Sequence, residues 1–271
     1  MRDFGDGRIG RLLAFLACLF LAAPLIAVVG SSFTSTAYIQ FPPAGFSIEP
    51  YLDIAAHPGF DTSTWLSLII AAIVSVATTV IALVTARGLS IRRRQGKKTG
   101  LLDLLFLLPI TIPHAVLGVA MLQVLYGLGL QVSIWPLIIA HIVVTIPFGI
   151  RIINTTDGGL DLNTERAAEI LGASALEVYL KVILPQLRPA VVATFFLSAT
   201  LSLGEVGASL FLADAKTVTL PVRMFQFMQY QALPFISALG TLLIAVPLIV
   251  ALLTEKPFGL ARLFGIKASR R

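Results

Sequence analysis

Six stretches of this chain are long, apolar and nearly free of charge: 12–33, 62–86, 104–126, 134–150, 190–213 and 232–254. Polar and charged residues are crowded into the segments between them. A run of about 20 apolar residues predicts a helix that can cross the hydrocarbon core of a bilayer. The fourth run is the shortest and gains length by tilting or by extending through 151–155. The expected fold is therefore all-α integral membrane, with six transmembrane helices. The expected division is 1–61 (N-terminal tail, first span and outer loop), 62–254 (membrane core, with a polar loop at 157–189) and 255–271 (basic tail).

Composition strengthens this picture. Hydrophobic residues make up 57% of the chain and charged residues only 13%, about half the charge of an ordinary soluble domain. Net charge is +6, but its placement argues against a nucleic-acid surface. All but Lys216 and Arg223 of the 20 Lys and Arg fall in the N-terminal tail, the loops after the second and fourth spans, and the C-terminal tail. The positive-inside rule then places both termini and the 157–189 loop on the cytoplasmic side. The outer segment 34–61 carries Glu49, Asp53 and Asp61 but no Lys or Arg.

The loop after the fourth span is patterned. Asp157-Gly158-Gly159 is a turn signal that stops the span. Asn163 or Thr164 is the expected cap of a following helix, and Glu165 sits in its first turn, where the helix dipole favours an anion. Ala167, Ala168, Ile170 and Leu171 give that helix a small, apolar side, and Gly172 can end it with positive φ. Ser174 to Glu177 fits the S-x-x-E capping box, so a second short helix is expected from Ala175 to Leu184, stopped by Pro185. Pro189 suits the first turn of the fifth span. Such short helices are marginal alone in water. Two readings follow: docking to a partner protein, or resting as an amphipathic connector on lipid headgroups.

Residues 165–185 resemble the EAA loop of the membrane subunits of bacterial type I ABC importers. Ala167, Ala168, Gly172, Ile183, Leu184 and Pro185 match that pattern, and the distance from the C-terminus also fits. Arg166 departs from it, shifting the acidic residue to Glu165. The resemblance implies the permease fold of that family. It implies that Glu165, Arg166, Ala167, Ala168, Leu171, Gly172 and Pro185 form a coupling loop seated on a separate ATP-binding subunit. It also implies a multi-pass protein of the bacterial inner membrane. The implied partners are two ATP-binding subunits carrying ATP-Mg, a second permease subunit and a periplasmic binding protein, with lipid around the spans. This chain itself is expected to bind no cofactor or metal and to hydrolyse nothing. A P-loop needs G-x-x-x-x-G-K-[ST]; at Gly96-Lys97-Lys98-Thr99 the residue after the first lysine is not Ser or Thr, and Ile91 stands where the first glycine belongs.

Glu205 is the one carboxylate well inside an apolar run, and an ionisable group there is a functional candidate. It is expected either to face a translocation pathway or to make a hydrogen bond between helices. Gly204, Gly207 and Ala208 permit close helix approach. The surrounding residues resemble the L-G-E-F-G-A pattern of importers for anions, metals, thiamine, polyamines and aminophosphonates, with Val206 in place of Phe. Pro113, His114 and Ser202 are the other candidate pathway residues. Prolines 109 and 113 are expected to kink the third span. Thr219 to Arg223 is expected to form a short outer element near a docking surface. The resemblance implies import of a small polar solute such as 2-aminoethylphosphonate, a polyamine or ferric iron. The alternative is a stand-alone secondary transporter with a Glu205/His114 proton relay. That would call for an inverted repeat and interrupted spans, neither of which is visible in the sequence.

Overall fold

The computed structural model describes residues 8–258, and their regular structure is helical apart from one isolated bridge between Thr34 and Phe46. The charges of residues 1–7 and most of the basic tail lie outside the described residues. Five helices are long and apolar enough to cross a membrane, and a bent pair supplies a sixth. The described residues gather into two compact units: the chain up to Asp61 with Met224–Val246, and Thr62–Arg223 with the chain from Pro247 onward.

In the first unit, α1 (Arg8–Ser31) precedes an outer segment carrying the short α2 (Glu49–Leu52) and one 3-10 turn (Asp53–Ala56). The Ser31 hydroxyl donates to Ser237 at 3.2 Å. His57 stacks on Phe235 with ring centroids 3.8 Å apart, and Phe60 and Phe227 meet Phe235 edge-on, each at 5.1 Å. Offset and edge-to-face contacts of this kind suit the aromatic quadrupole.

The second unit is built on α3 (Phe60–Arg94), α6 (Ile134–Gly158) and α9 (Leu184–Leu203). Of the long helices α6 is the most buried, with 56% of its apolar stretch covered against 0% for α1. Small residues make the crossing possible. A Cβ on Gly149 would lie 2.9 Å from Thr194, 3.1 Å from Thr78 and 3.2 Å from Ala82, so all three helices close around a missing side chain. Thr78 and Thr145 hydroxyls meet there at 2.7 Å. Below this crossing, Ala82, Ala86, Leu89, Ile150, Ile153 and Leu187 form one apolar core.

Several expectations need correction. The third span is not one helix: α4 (Gly100–Thr111) and α5 (His114–Gly127) meet at 99°. Pro113 forces Ile112 out of the helical region to φ −86°, ψ 123°, the usual effect of proline on its predecessor. The fifth span ends at Leu203, before Glu205, and resumes only as the four-residue α10 (Ser209–Leu212). Interrupted spans, invisible in the apolar runs, are therefore present twice. The fourth span does run past 150, through to Gly158.

The loop also differs. The cap of α7 (Leu162–Ile170) is Asp161, which accepts from the Asn163 N–H at 2.9 Å; neither Asn163 nor Thr164 serves. Ser174 and Glu177 do form the capping box that starts α8 (Ala175–Val178). Pro185, however, stops nothing. A wide π turn at Tyr179–Ile183 carries the chain straight into α9, with the Leu184 N–H reaching back to the Tyr179 carbonyl. The widened turn lets a helix absorb a proline whose ring would clash with a regular turn. Pro189 consequently lies inside α9 instead of opening it.

Candidate functional sites

At one end of the second unit, α7 is tied to α3 by charge. The two carboxylate oxygens of Glu165 accept separately from Arg87 and Arg94. Burial pushes the Glu165 carboxyl up, but the hydrogen bonds and charges of Arg87 and Arg94 outweigh it and hold the group below the usual glutamate value. Ala168 packs on the apolar core beneath. Arg166, Ala167 and Gly172 are exposed, and Gly172 closes the helix at φ +86°. Ile170 and Leu171 stand 85% and 87% exposed just before it. A cavity of about 490 Å³ between α3 and α7 is lined by Arg87, Arg94, Glu165, Arg166 and Glu169. Pro185 is not part of this site; it lies in α9.

Two residues of this end were missed by sequence reasoning. Asp157, read as a turn former, is 1% exposed on the last turn of α6, with Arg87 Nη1 3.9 Å from its Oδ1. Arg87 was counted only as a positive loop charge. The available signal was its place seven residues upstream of Arg94, two helical turns along one face.

The second site is the break after α9. Gly204 ends the helix, and Glu205 folds back so that Oε1 accepts from the Ala208 N–H at 2.8 Å. Its Oε2 lies 2.6 Å from His114 Nδ1, at the start of α5. The two chain breaks thus face each other, carboxylate against imidazole. Their approach depends on two missing side chains. A Cβ on Gly118 would lie 2.8 Å from the Ala208 carbonyl, and one on Gly207 would lie 2.8 Å from the His114 Cβ. Gly204 has no such close neighbour. Ser202 is buried and bonds to His141 Nδ1 at 2.8 Å, while Ser209 takes His141 Nε2 at 2.8 Å. His141 therefore pins both sides of the break to α6. Pro113 caps α5 on its extended side.

The segment Thr219–Val222 is buried, not presented outward. The Leu220 N–H donates to Ser67 at 2.7 Å, and Arg223 Nε donates to Ser63 at 2.6 Å. The basic turn at Gly96–Thr99 is structural in its last residue: the buried Thr99 hydroxyl bonds Asp103 and accepts from Arg93, both at 3.0 Å.

Helices of this length, two interruptions facing each other and a separate polar helix define a multi-pass α-helical membrane protein of transport type. The chain belongs to the family described as binding-protein-dependent transport system inner membrane component, which matches residues 78–255. It is 29% identical over 241 residues to the spermidine/putrescine transport system permease protein PotC of Haemophilus influenzae, covering 89% of this chain and 93% of that one. It is 31% identical over 257 residues to the sulfate transport system permease protein CysT of Salmonella typhimurium, covering 89% and 88%. The fold is similar to that in the crystal structure of a bacterial ABC transporter involved in the import of the acidic polysaccharide alginate. That match has a TM-score of 0.68 at 18% identity, covering 95% of this chain and 99% of the other. The chain is thus a multi-pass inner-membrane permease of an ABC importer system.

Proposed function

We propose that this permease moves a small charged solute inward by alternating access, driven by ATP hydrolysis on partner subunits that grip α7. The observation that carries the reading is the pair Ile170 and Leu171, exposed at 85% and 87% on the tip of a short helix anchored at its base by Glu165. Two large apolar side chains standing in the open suit a pocket on another protein. The loop then faces the cytoplasm, with both termini, in keeping with the positive-inside distribution of Lys and Arg. The assembly comprises two ATP-binding subunits, a second permease subunit and a periplasmic binding protein. ATP-driven closure of the ATPase pair moves α7, and the spans rotate as rigid bodies. His114, Glu205, Ser202 and Pro113, at the facing breaks, line or hold the pathway.

For the solute we favour a polyamine. The named relatives include polyamine permeases, and the chain between Arg11 and Arg87 carries carboxylates but no Lys or Arg, which leaves the outer segment acidic. Sulfate, 2-aminoethylphosphonate and ferric iron are the competing solutes. The test is co-purification with uptake. Tagged wild-type protein should recover an ATPase, and Leu171→Asp or deletion of 163–172 should lose both the ATPase and uptake of labelled spermidine. Absence of any ATPase with the wild type, or uptake untouched by the deletion, would overturn the reading. Uptake of another of the four solutes would change only the solute.

A further inference from the structure

The charges at the base of α7 are shared unequally. Glu165 receives two guanidinium groups, from Arg87 and Arg94. Asp157 has only a long ion pair with Arg87, at 3.9 Å: it is 1% exposed, and neither of its carboxylate oxygens has a hydrogen-bond partner. Arg87 Nη1 is likewise buried without a partner, 3.9 Å from Asp157 Oδ1. A buried carboxylate without hydrogen bonds is costly, and it sits about 1 Å beyond hydrogen-bond range of an idle donor. One guanidinium thus has two claimants on different elements, Glu165 on α7 and Asp157 at the end of α6. Arg94 keeps Glu165 partly neutralised if Arg87 leaves, so neither carboxylate need be stranded.

We propose that Arg87 is a positioning residue that exchanges between Glu165 and Asp157, holding α7 against α3 together with Arg94 in one arrangement and leaving it tied by Arg94 alone, and so released to move, in the other. The inference rests on the reading of α7 as the helix gripped by an ATPase. It adds a built-in release: pulling α7 away from α3 is offset by the ion pair that Arg87 completes with Asp157. A permanent structural pair would have no use for the second, unsatisfied carboxylate. The exchange links the position of α7 to the lower ends of α3 and α6, the spans that carry the guanidinium and the second claimant.

The experiment uses the full chain in lipid nanodiscs with its only cysteine removed by Cys18→Ala. Spin labels go at exposed Arg92 on α3 and Asn163 on α7, and pulsed electron resonance reads the distance between them. The wild type should show two populations, held and released. Asp157→Asn should reduce the released population at least tenfold, and Glu165→Gln should make it dominant. A population ratio unchanged by either substitution would overturn the exchange. A stability role alone would not move that ratio. Should Arg87→Gln fail to fold, the double variant Arg87→Gln/Asp157→Asn removes the stranded charge and should fold with α7 released; α7 still held there would also overturn the proposal. Recovery of the ATPase from the same wild-type sample separates the two ideas. Unchanged distances with the ATPase recovered defeat the exchange alone, whereas an absent ATPase defeats the docking reading.

Discussion

Two polar clusters lie within residues 62–223, and they are finished to different degrees. Around His141 every ring nitrogen has a partner, Ser202 on one side and Ser209 on the other. Around Arg87 one carboxylate is hydrogen-bonded by two guanidinium groups and the other accepts no hydrogen bond. A fully satisfied network rigidifies its surroundings, while a half-satisfied one stores free energy that a rearrangement can release. The first cluster fixes a break in a span; the second sits beneath the helix proposed to be moved. Completeness of hydrogen bonding therefore separates the part of this permease that is held from the part that is poised.

The largest effect should come from Arg87→Ala. It leaves Asp157 buried without a nearby cation, and breaking a buried pair costs about 3 kcal/mol or more, so thermal unfolding in detergent should shift sharply and expression should fall. His141→Leu comes next. It strands two buried hydroxyls in the core, at about 2 kcal/mol in total, and the same unfolding measurement should show it. If His141→Leu proves harmless, the contrast between the clusters is lost. Gly207→Ala should cost about 1–2 kcal/mol, because the new methyl meets the His114 Cβ and the neighbouring backbone. Its effect should be absent from Gly204→Ala, which checks that the close approach is the cause.

Asp157→Asn should act in the opposite direction, raising stability by about 1 kcal/mol, because a buried charge with no hydrogen bond and only a shared cation 3.9 Å away gives way to a neutral amide. No substitution at His141 should stabilise, so this sign difference is the sharpest form of the comparison. The smallest effect is with pH. Glu165 is depressed in the folded state, so the stabilisation it gives α7 is present above the ordinary glutamate value of about 4.5 and is lost as pH falls through the lower, folded value. Amide protection in 162–170, corrected for the intrinsic exchange rate at each pH, should therefore fall on acidification below pH 4.5, ahead of protection in α6.

The spans and the caps were largely legible in the sequence, because apolar length and the Ser174–Glu177 pairing are local signals. The breaks were not. Residues 104–126 and 190–213 are each long enough and apolar enough overall to read as one span, so hydropathy does not show that Ile112 is extended or that Glu205 lies outside a helix. Prolines guided in one place and misled in another: Pro113 bends the third span where a kink is expected, whereas Pro185 and Pro189 are carried within α9 because a π turn precedes them. Glu205 was found from its sequence context, yet its partner His114 stands 91 positions earlier in the chain, a distance only folding closes. Asp157 reads as a turn residue because its burial comes from parts of the chain distant in sequence, with Arg87 of α3 beside it.

The π turn at Tyr179–Ile183 also sets a phase. Each residue of an α-helix advances the chain by about 100° around its axis. One residue taken up in the wider turn therefore gives Leu176 and Leu180, both exposed, a different compass bearing relative to α9 from the one a regular helix would give. The segment from Ala175 to Leu203 is one continuous rod of 29 residues, so its cytoplasm-proposed end and its membrane end are keyed to each other like two teeth on a single shaft. Deleting one residue in the wide turn would leave the rod intact and turn one tooth past its slot.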